Sequence, residues 1–368
     1  MVLLPAHTDI AIIGAGMAGS SLAAEIGGAA RVVMIEGEDQ PGYHATGRSA
    51  AFWSETYGGP AIQPLTSASE AYLRDGGFLS PRSGLHIAGP DGMKALAAFE
   101  QEFAGSAVRL DRVPAEAVPH RVPGLRAGHG DALEEPTCAD IDVAALHAHY
   151  LTRARRAGAV LMTDARVRAI VREGSGWRLS TSSGDILADR VVNAAGAWAS
   201  EIAALAGAAP IAITPYRRTV VQLQVDPPAP ADLPLVMDAE ERFYFKPEAG
   251  GRLWLSPHDE TDSAACDVAP EELDVAIAID RFERFVDWRI VRREYAWAGL
   301  RSFAPDRIPV YGFDSREPGF FWFAGQGGFG IQTAPAAAVI GAALIMGQAM
   351  PDPVQDIDVA RYSPSRFD

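Results

Sequence analysis

Residues 14–20 read GAGMAGS, and that heptapeptide limits the possible folds more than any other stretch of the chain. Its glycines, Gly14, Gly16 and Gly19, stand in the G-x-G-x-x-G spacing. In a strand–turn–helix unit the first permits a tight turn, the second lets backbone approach a pyrophosphate, and the third lets helix and strand pack closely. The flanks agree. Residues 9–13 suit a buried parallel strand, residues 20–26 read as a helix, and residues 31–36, RVVMIE, form the next buried strand. Glu36 closes that strand about 20 residues after the turn, where a carboxylate can accept ribose hydroxyls. The pattern predicts a βαβ unit that binds a dinucleotide, and hence an α/β fold.

With 368 residues, 48% of them hydrophobic, the chain has apolar surface for a substantial core or two. Its net charge of −15 argues against a broad electrostatic grip on nucleic acid or anionic lipid. Cys138 and Cys266 lie far apart and in no metal-ligand or redox spacing, so both are expected to be reduced and buried or half-buried, as in a cytoplasmic protein. Residues 1–16 lack the features of a secretory signal. The apolar stretch 334–346 is shorter than the roughly 20 residues of a membrane span, and Pro335 suits a helix first turn, so no membrane span is expected.

Further along, residues 142–156 show helical spacing, with arginines gathered at the end. From Arg166 the chain reads as a three-stranded meander with turns at 173–176 and 182–185. Residues 211–256 alternate as an antiparallel sheet would, a helix follows at 271–287, and 334–346 forms the last helix. This change of character predicts two domains between which the chain crosses more than once.

A second G-x-G-x-x-G with its own acidic partner is missing, since AGQGGFGIQ precedes the last helix with no acid at the right distance. One dinucleotide site without an obvious acid–base pair points to a flavoprotein, because a flavin itself carries the redox chemistry. Six blocks in order, GAGMAGS, QPGYHATGRSAA, DIDVAALHAHYL, VVNAAGAW, WAGLRSFAPD and FFWFAGQGGFGIQT, resemble the D-amino-acid oxidase-like flavoproteins, most closely the bacterial D-arginine dehydrogenase branch. The resemblance implies a Rossmann-like, glutathione-reductase-like FAD domain from residues 1–80, 140–210 and 304–368. It also implies an α+β substrate domain on a mixed, largely antiparallel sheet from 81–139 and 211–303. FAD would be non-covalent, as no cysteine stands in or beside FAGQGGFG. Arg48, Ser49 and Ala50 would lie against the flavin, with Val167, Gly196, Gly327, Gly330 and Gln332 completing its site. The residues after Ala51 would form a mobile loop, with Tyr57 as a lid tyrosine.

The resemblance also implies how a small amino-acid substrate is held. Of the 32 basic residues only Lys94 and Lys246 are lysines, so a lone arginine means little. Arg218 and Arg301 match carboxylate-binding positions, where a planar guanidinium can take a carboxylate bidentately. Tyr244 would complete that clamp, and the Gly328 carbonyl would receive the amine. Arg217 should point to the opposite sheet face. Two departures reshape the side-chain pocket. Gly84 stands where the D-arginine enzymes carry a glutamate, and Phe52 where they carry a histidine, while Leu235 and Met237 match lining positions. The expected substrate is therefore a neutral or hydrophobic D-amino acid, unless Glu55 restores an acid from the lid. Trp254 aligns with a lysine that sarcosine oxidases keep over the flavin, which favours a dehydrogenase using a quinone or other redox partner. An oxygen-using glycine or sarcosine oxidase and a non-catalytic flavin-binding subunit stay open as alternatives. His147 and His149, two apart on a helix, do not form a joint metal site. His86, on the pocket-side strand, reads as a satisfied sheet histidine that could touch substrate.

Overall fold

The computed structural model describes residues 7–368. Residues 1–6, and with them the start of the expected signal-free N-terminus, lie outside the described residues. Two large sheets organise the chain. In the first, of eight strands, His7–Ile13 lies parallel between Gly184–Asn193 and Val32–Ile35, with Val160–Met162 beyond. Val167–Glu173, Gly176–Thr181 and Gly184–Asn193 form the expected antiparallel meander, and Phe320–Ala324 adds to it in parallel. The central strand is buried on both faces because helices cover the side toward Met17–Ile26 and the small-residue helix Ala199–Ala206 lies among the side chains of the other.

Met17–Ile26 begins directly after Gly16, three residues earlier than the sequence pattern suggests, because the glycine turn itself forms the helix start. It packs between Val143–Arg156 and Ala334–Met346. The last helix matches its expected bounds and is apolar all round because it is enclosed on nearly every side.

The second sheet has ten strands. Thr214–Asp226 pairs with Arg289–Phe303 on one side and Arg252–Ser256 on the other, and Tyr244–Glu248, Leu235–Asp238, Gly84–Ile87 and Ala132–Glu135 continue the order. Every ladder along this run is antiparallel except Leu235–Asp238 with Gly84–Ile87, so the sheet is mixed. Val221, Leu223 and Val225 pack with Val275, Ala278 and Phe282 of the helix Glu272–Phe285. The alternate positions, Arg218 among them, therefore face the other way, toward the first sheet's glycine turns.

The strand Gln326–Gly327 pairs with Ser302 and Phe303, which carries the last glycine-rich turn onto the second sheet. A third, small sheet of Phe52–Trp53, Leu79–Pro81 and Ala139–Ile141 holds the start of the loop at 54–58. Among the described residues no helix is long and apolar enough to cross a membrane.

Candidate active site

Gly14, with φ +101°, accepts no side chain: a Cβ there would lie 2.4 Å from the Ala194 carbonyl oxygen. Gly19 is as constrained, its Cβ falling 1.9 Å from the Gly14 oxygen, so the first and third glycines serve the turn and the packing. Gly16 faces a cavity of about 170 Å³ that runs from Glu36 past Gly196 to Gly327, Gly328 and Gly330. The helix Met17–Ile26 opens on this cavity with no acidic residue in its first turn, and although Thr46 Oγ1 accepts the Met17 N–H at 2.9 Å, its positive end favours phosphate. Glu36 accepts the backbone N–H groups of Ala15 at 3.0 Å and Glu38 at 3.1 Å, which fixes its carboxylate on the cavity wall. A long, glycine-lined cavity between a helix N-terminus and a strand-end carboxylate fits FAD.

Arg48 and Ser49 line the same cavity, and Ala50 lies at its continuation. The Arg48 guanidinium turns away to Asp267 and to the Val268 carbonyl, at 2.9 Å. Thr46, His44 and Trp198 also line the cavity, and sequence reasoning passed over all three. Val167 instead packs beside the meander core and is not among the lining residues. Cys138 is buried as expected, but Cys266 is exposed and lines the cavity.

Arg301 joins this cavity to a smaller one bounded by Phe52, Tyr57, Arg218, Tyr244 and Gly328. The antiparallel register explains the convergence. Arg218 stands opposite Gly299 and Arg301 opposite Tyr216, so both guanidiniums leave the same sheet face two residues apart. Gly299 leaves the room: a Cβ there would sit 3.0 Å from Arg301 Nη1 and 3.2 Å from the Arg48 Cβ.

Arg218 donates to the Asp259 carbonyl at 2.8 Å and to Glu260 at 3.0 Å. Arg301, only 7% exposed, has no ion pair among the described residues. Burial first, then Arg218, pulls its guanidinium below the usual range, against Tyr57 and Tyr244. Arginine keeps its proton even so, and the result is an uncompensated buried cation. Arg217 faces the other side and pairs with Asp274, at 2.9 Å, and with Glu271.

The loop over this cavity is firmly tied at its base. Buried Glu135 accepts from Ser54 Oγ at 2.8 Å, Glu55 N at 2.6 Å and Thr56 Oγ1 at 2.7 Å. Burial nevertheless raises the Glu135 carboxyl, against those donors. Gln332 takes the Ser54 N–H on its amide oxygen and donates to the carbonyls of Ser54 and Tyr57, so this residue of the expected flavin site spends its amide on the loop. The Tyr57 hydroxyl lies against Gly328, where a Cβ would come within 2.1 Å. Glu55 bonds Ser67 and Thr137 and does not bring an acid into the pocket.

Leu235 and Gly84 are buried beneath the pocket beside Cys138, whereas Met237 reaches a third cavity. Trp254 donates to Gln222 at 2.9 Å, and its partner across the strands is Lys246, whose ammonium lies 5.0 Å from the indole centroid and pairs with Asp140 at 2.6 Å. A cation thus remains on this sheet face one strand away from where the sequence comparison sought it. The His147 Nε2 lies 2.9 Å from the Ala15 carbonyl, while His149 sits among Tyr72 and Phe78. His86 is not the satisfied histidine expected, since its buried Nε2 has no partner among the described residues.

A dinucleotide cavity ending at a paired-arginine pocket under an aromatic loop defines a flavin-dependent oxidoreductase. The FAD dependent oxidoreductase family, DAO, matches residues 9–344; the chain belongs to it, and its cofactor is FAD. Glycine oxidase of Geobacillus kaustophilus is 25% identical over 366 residues, covering 92% of each chain. Glycine oxidase of Pseudomonas aeruginosa is 28% identical over 70% of this chain and 68% of its own. Hydrogen cyanide synthase subunit HcnC of the same species is 26% identical over 59% of this chain, a match spanning 50% of HcnC. In fold the chain is similar to L-proline dehydrogenase from P. horikoshii, with a TM-score of 0.85, 24% identity and coverage of 99% and 98%.

Proposed function

We propose that this protein oxidises the Cα–N bond of a neutral or apolar D-amino acid and passes the electrons to an acceptor other than oxygen. The observation that carries this reading is Arg301, a buried guanidinium with no carboxylate of its own, opening beside Arg218 and Tyr244 onto the far end of the FAD cavity. A substrate α-carboxylate supplies the missing charge. Bound FAD supplies the hydride acceptor. Arg301, Arg218 and Tyr244 would fix the carboxylate, the Gly328 carbonyl would accept a hydrogen bond from the amine, and Tyr57 with Phe52 would exclude water, leaving the Cα hydrogen to face the FAD cavity. The imine product hydrolyses to a 2-oxo acid and ammonia.

The two domains of the sequence reading follow the two large sheets under this proposal, and two free cysteines suit a reducing cytoplasm. The D hand rests on the resemblance of the six sequence blocks. The dehydrogenase reading is supported by Lys246, whose charge is matched by Asp140 rather than left free to stabilise a reduced oxygen species. The names of the glycine oxidase relatives favour an oxygen-using oxidase of small amino acids as the second reading. Anaerobic titration of the yellow protein with D- and L-amino acids, sarcosine and glycine tests both. Bleaching by neutral D-amino acids supports the proposal. Bleaching by glycine or sarcosine, with hydrogen peroxide formed in step with turnover in air, selects the oxidase. A flavin that no amine bleaches leaves a binding subunit.

A further inference from the structure

Beyond the clamp lies a third cavity, of about 40 Å³, and Phe52, Tyr57 and Tyr244 line both it and the clamp cavity. These three rings form the partition, with centroids 5.3 Å apart for Phe52 and Tyr57 and 6.0 Å for Phe52 and Tyr244. On the far side the walls are Phe99, Met237 and Phe243, interrupted by His86, His258 and Glu241. Two observations set this chamber apart from a packing defect. The first is His86, 8% exposed, whose Nε2 has no hydrogen-bond partner among the described residues, although buried polar groups nearly always find one. Its ring is held against Phe99 at 4.3 Å, so it cannot simply turn to solvent. The second is local strain at the rim. Glu241 and His258 both adopt left-handed backbone, with φ of 56° and 54°, and the His258 Nδ1 lies 2.7 Å from the Glu241 carbonyl. Strain of this kind persists where surrounding structure enforces it and gathers at ligand sites.

Resting on the amino-acid reading above, we propose that this chamber is the side-chain subsite, and that it selects a substrate whose apolar chain ends in a neutral hydrogen-bonding group, such as a primary amide, that meets His86 Nε2. The wall chemistry separates this from two simpler choices. A purely apolar tail would fill the chamber and leave the His86 nitrogen unmet. An ammonium would find two carboxylates on the walls, Glu241 and Asp238, the latter already held by Arg242, and would be opposed by Arg218, Arg281 and Arg307, which act on His258 from behind the lining. Burial keeps both histidines neutral, lowering each to about 3, so neither adds a charge of its own to the chamber.

The test uses the FAD-loaded protein and three unreactive carboxylates of matched length: adipamate, which ends in an amide, heptanoate, which ends in methyl, and aminocaproate, which ends in ammonium. Each is titrated while the flavin absorbance is followed, in the wild type and in His86→Phe, which keeps a ring but removes the nitrogens. Adipamate is expected to bind about tenfold tighter than heptanoate in the wild type, and the two to bind alike in the variant. Heptanoate binding as well as adipamate, aminocaproate binding tightest, or an amide preference surviving in His86→Phe each overturns the subsite. If none of the three perturbs the flavin, the carboxylate clamp itself fails and the subsite with it, whereas binding without discrimination removes the subsite alone.

Discussion

At the scale of single residues the site turns on charges that the protein leaves unmet. Arg301→Leu removes the buried cation while keeping an aliphatic stem. Loss of a charge-assisted carboxylate contact costs about 2–5 kcal/mol, so kcat/KM for a D-amino acid should fall by at least about thirtyfold. The loss should appear mainly in KM, and the flavin should remain bound. Equal kinetics in the variant would mean that the carboxylate binds elsewhere. Cys266 poses a second residue-scale question, because it is the one cysteine among the residues lining the FAD cavity. The expected outcome is non-covalent FAD: acid precipitation should release all the yellow colour into the supernatant, and Cys266→Ser should still bind it. The glycines and arginines of this site were legible in the sequence by spacing and resemblance. The orphaned nitrogen of His86 was not, because satisfaction of a polar atom depends on neighbours such as Phe99 that come from another part of the chain.

Among the elements, the segment at 54–58 is held by anchors that its sequence reading does not show. Tyr57 and Gly58 fit the expected mobile lid, and the base of the segment is held by Glu135 on a strand of the second sheet and by Gln332 just before the last helix. Neither anchor stands out in the sequence, since a lone glutamate at the end of a short strand reads as solvated surface. Glu135→Ala leaves the Glu55 N–H and two hydroxyls without their acceptor, at a cost of about 1–3 kcal/mol for each donor left buried and unmet. Hydrogen exchange at residues 54–58 should therefore rise in that variant, with a higher KM as Tyr57 loses its seat against Gly328. Glu135→Gln should largely preserve both, because its amide oxygen can accept from Glu55 N while its NH₂ donates to a hydroxyl. Fast exchange in the wild type as well would support the mobile-lid reading, and slow exchange would count against it.

For the molecule as a whole, the sequence made the two kinds of sheet legible through the period of their apolar residues. It left illegible the seam between them, which is built from the pairing of Ser302 and Phe303 with Gly327 and Gln326 and from side chains converging across large sequence separations. That seam and the chamber beside it hold titratable groups of opposite effect. Glu135, Glu241 and Asp259 are raised, mainly by burial, so each favours the folded state at low pH and loses that contribution as pH rises through its folded value. His86 and His258 are lowered from 6.5 to about 3 by burial, so the unfolded chain takes up protons near 6.5 that the folded protein refuses. Their contribution is lost as pH falls below 6.5. The two groups oppose each other in the wild type, but comparison with a variant isolates one histidine, since the carboxylates are common to both proteins. Between pH ~7 and ~5 the wild type should lose about 2 kcal/mol of unfolding free energy relative to His86→Phe, the linkage of one histidine so displaced. Urea unfolding at the two pH values measures it. A constant difference would mean that His86 protonates in the folded protein, and so that water reaches the chamber and meets its open nitrogen.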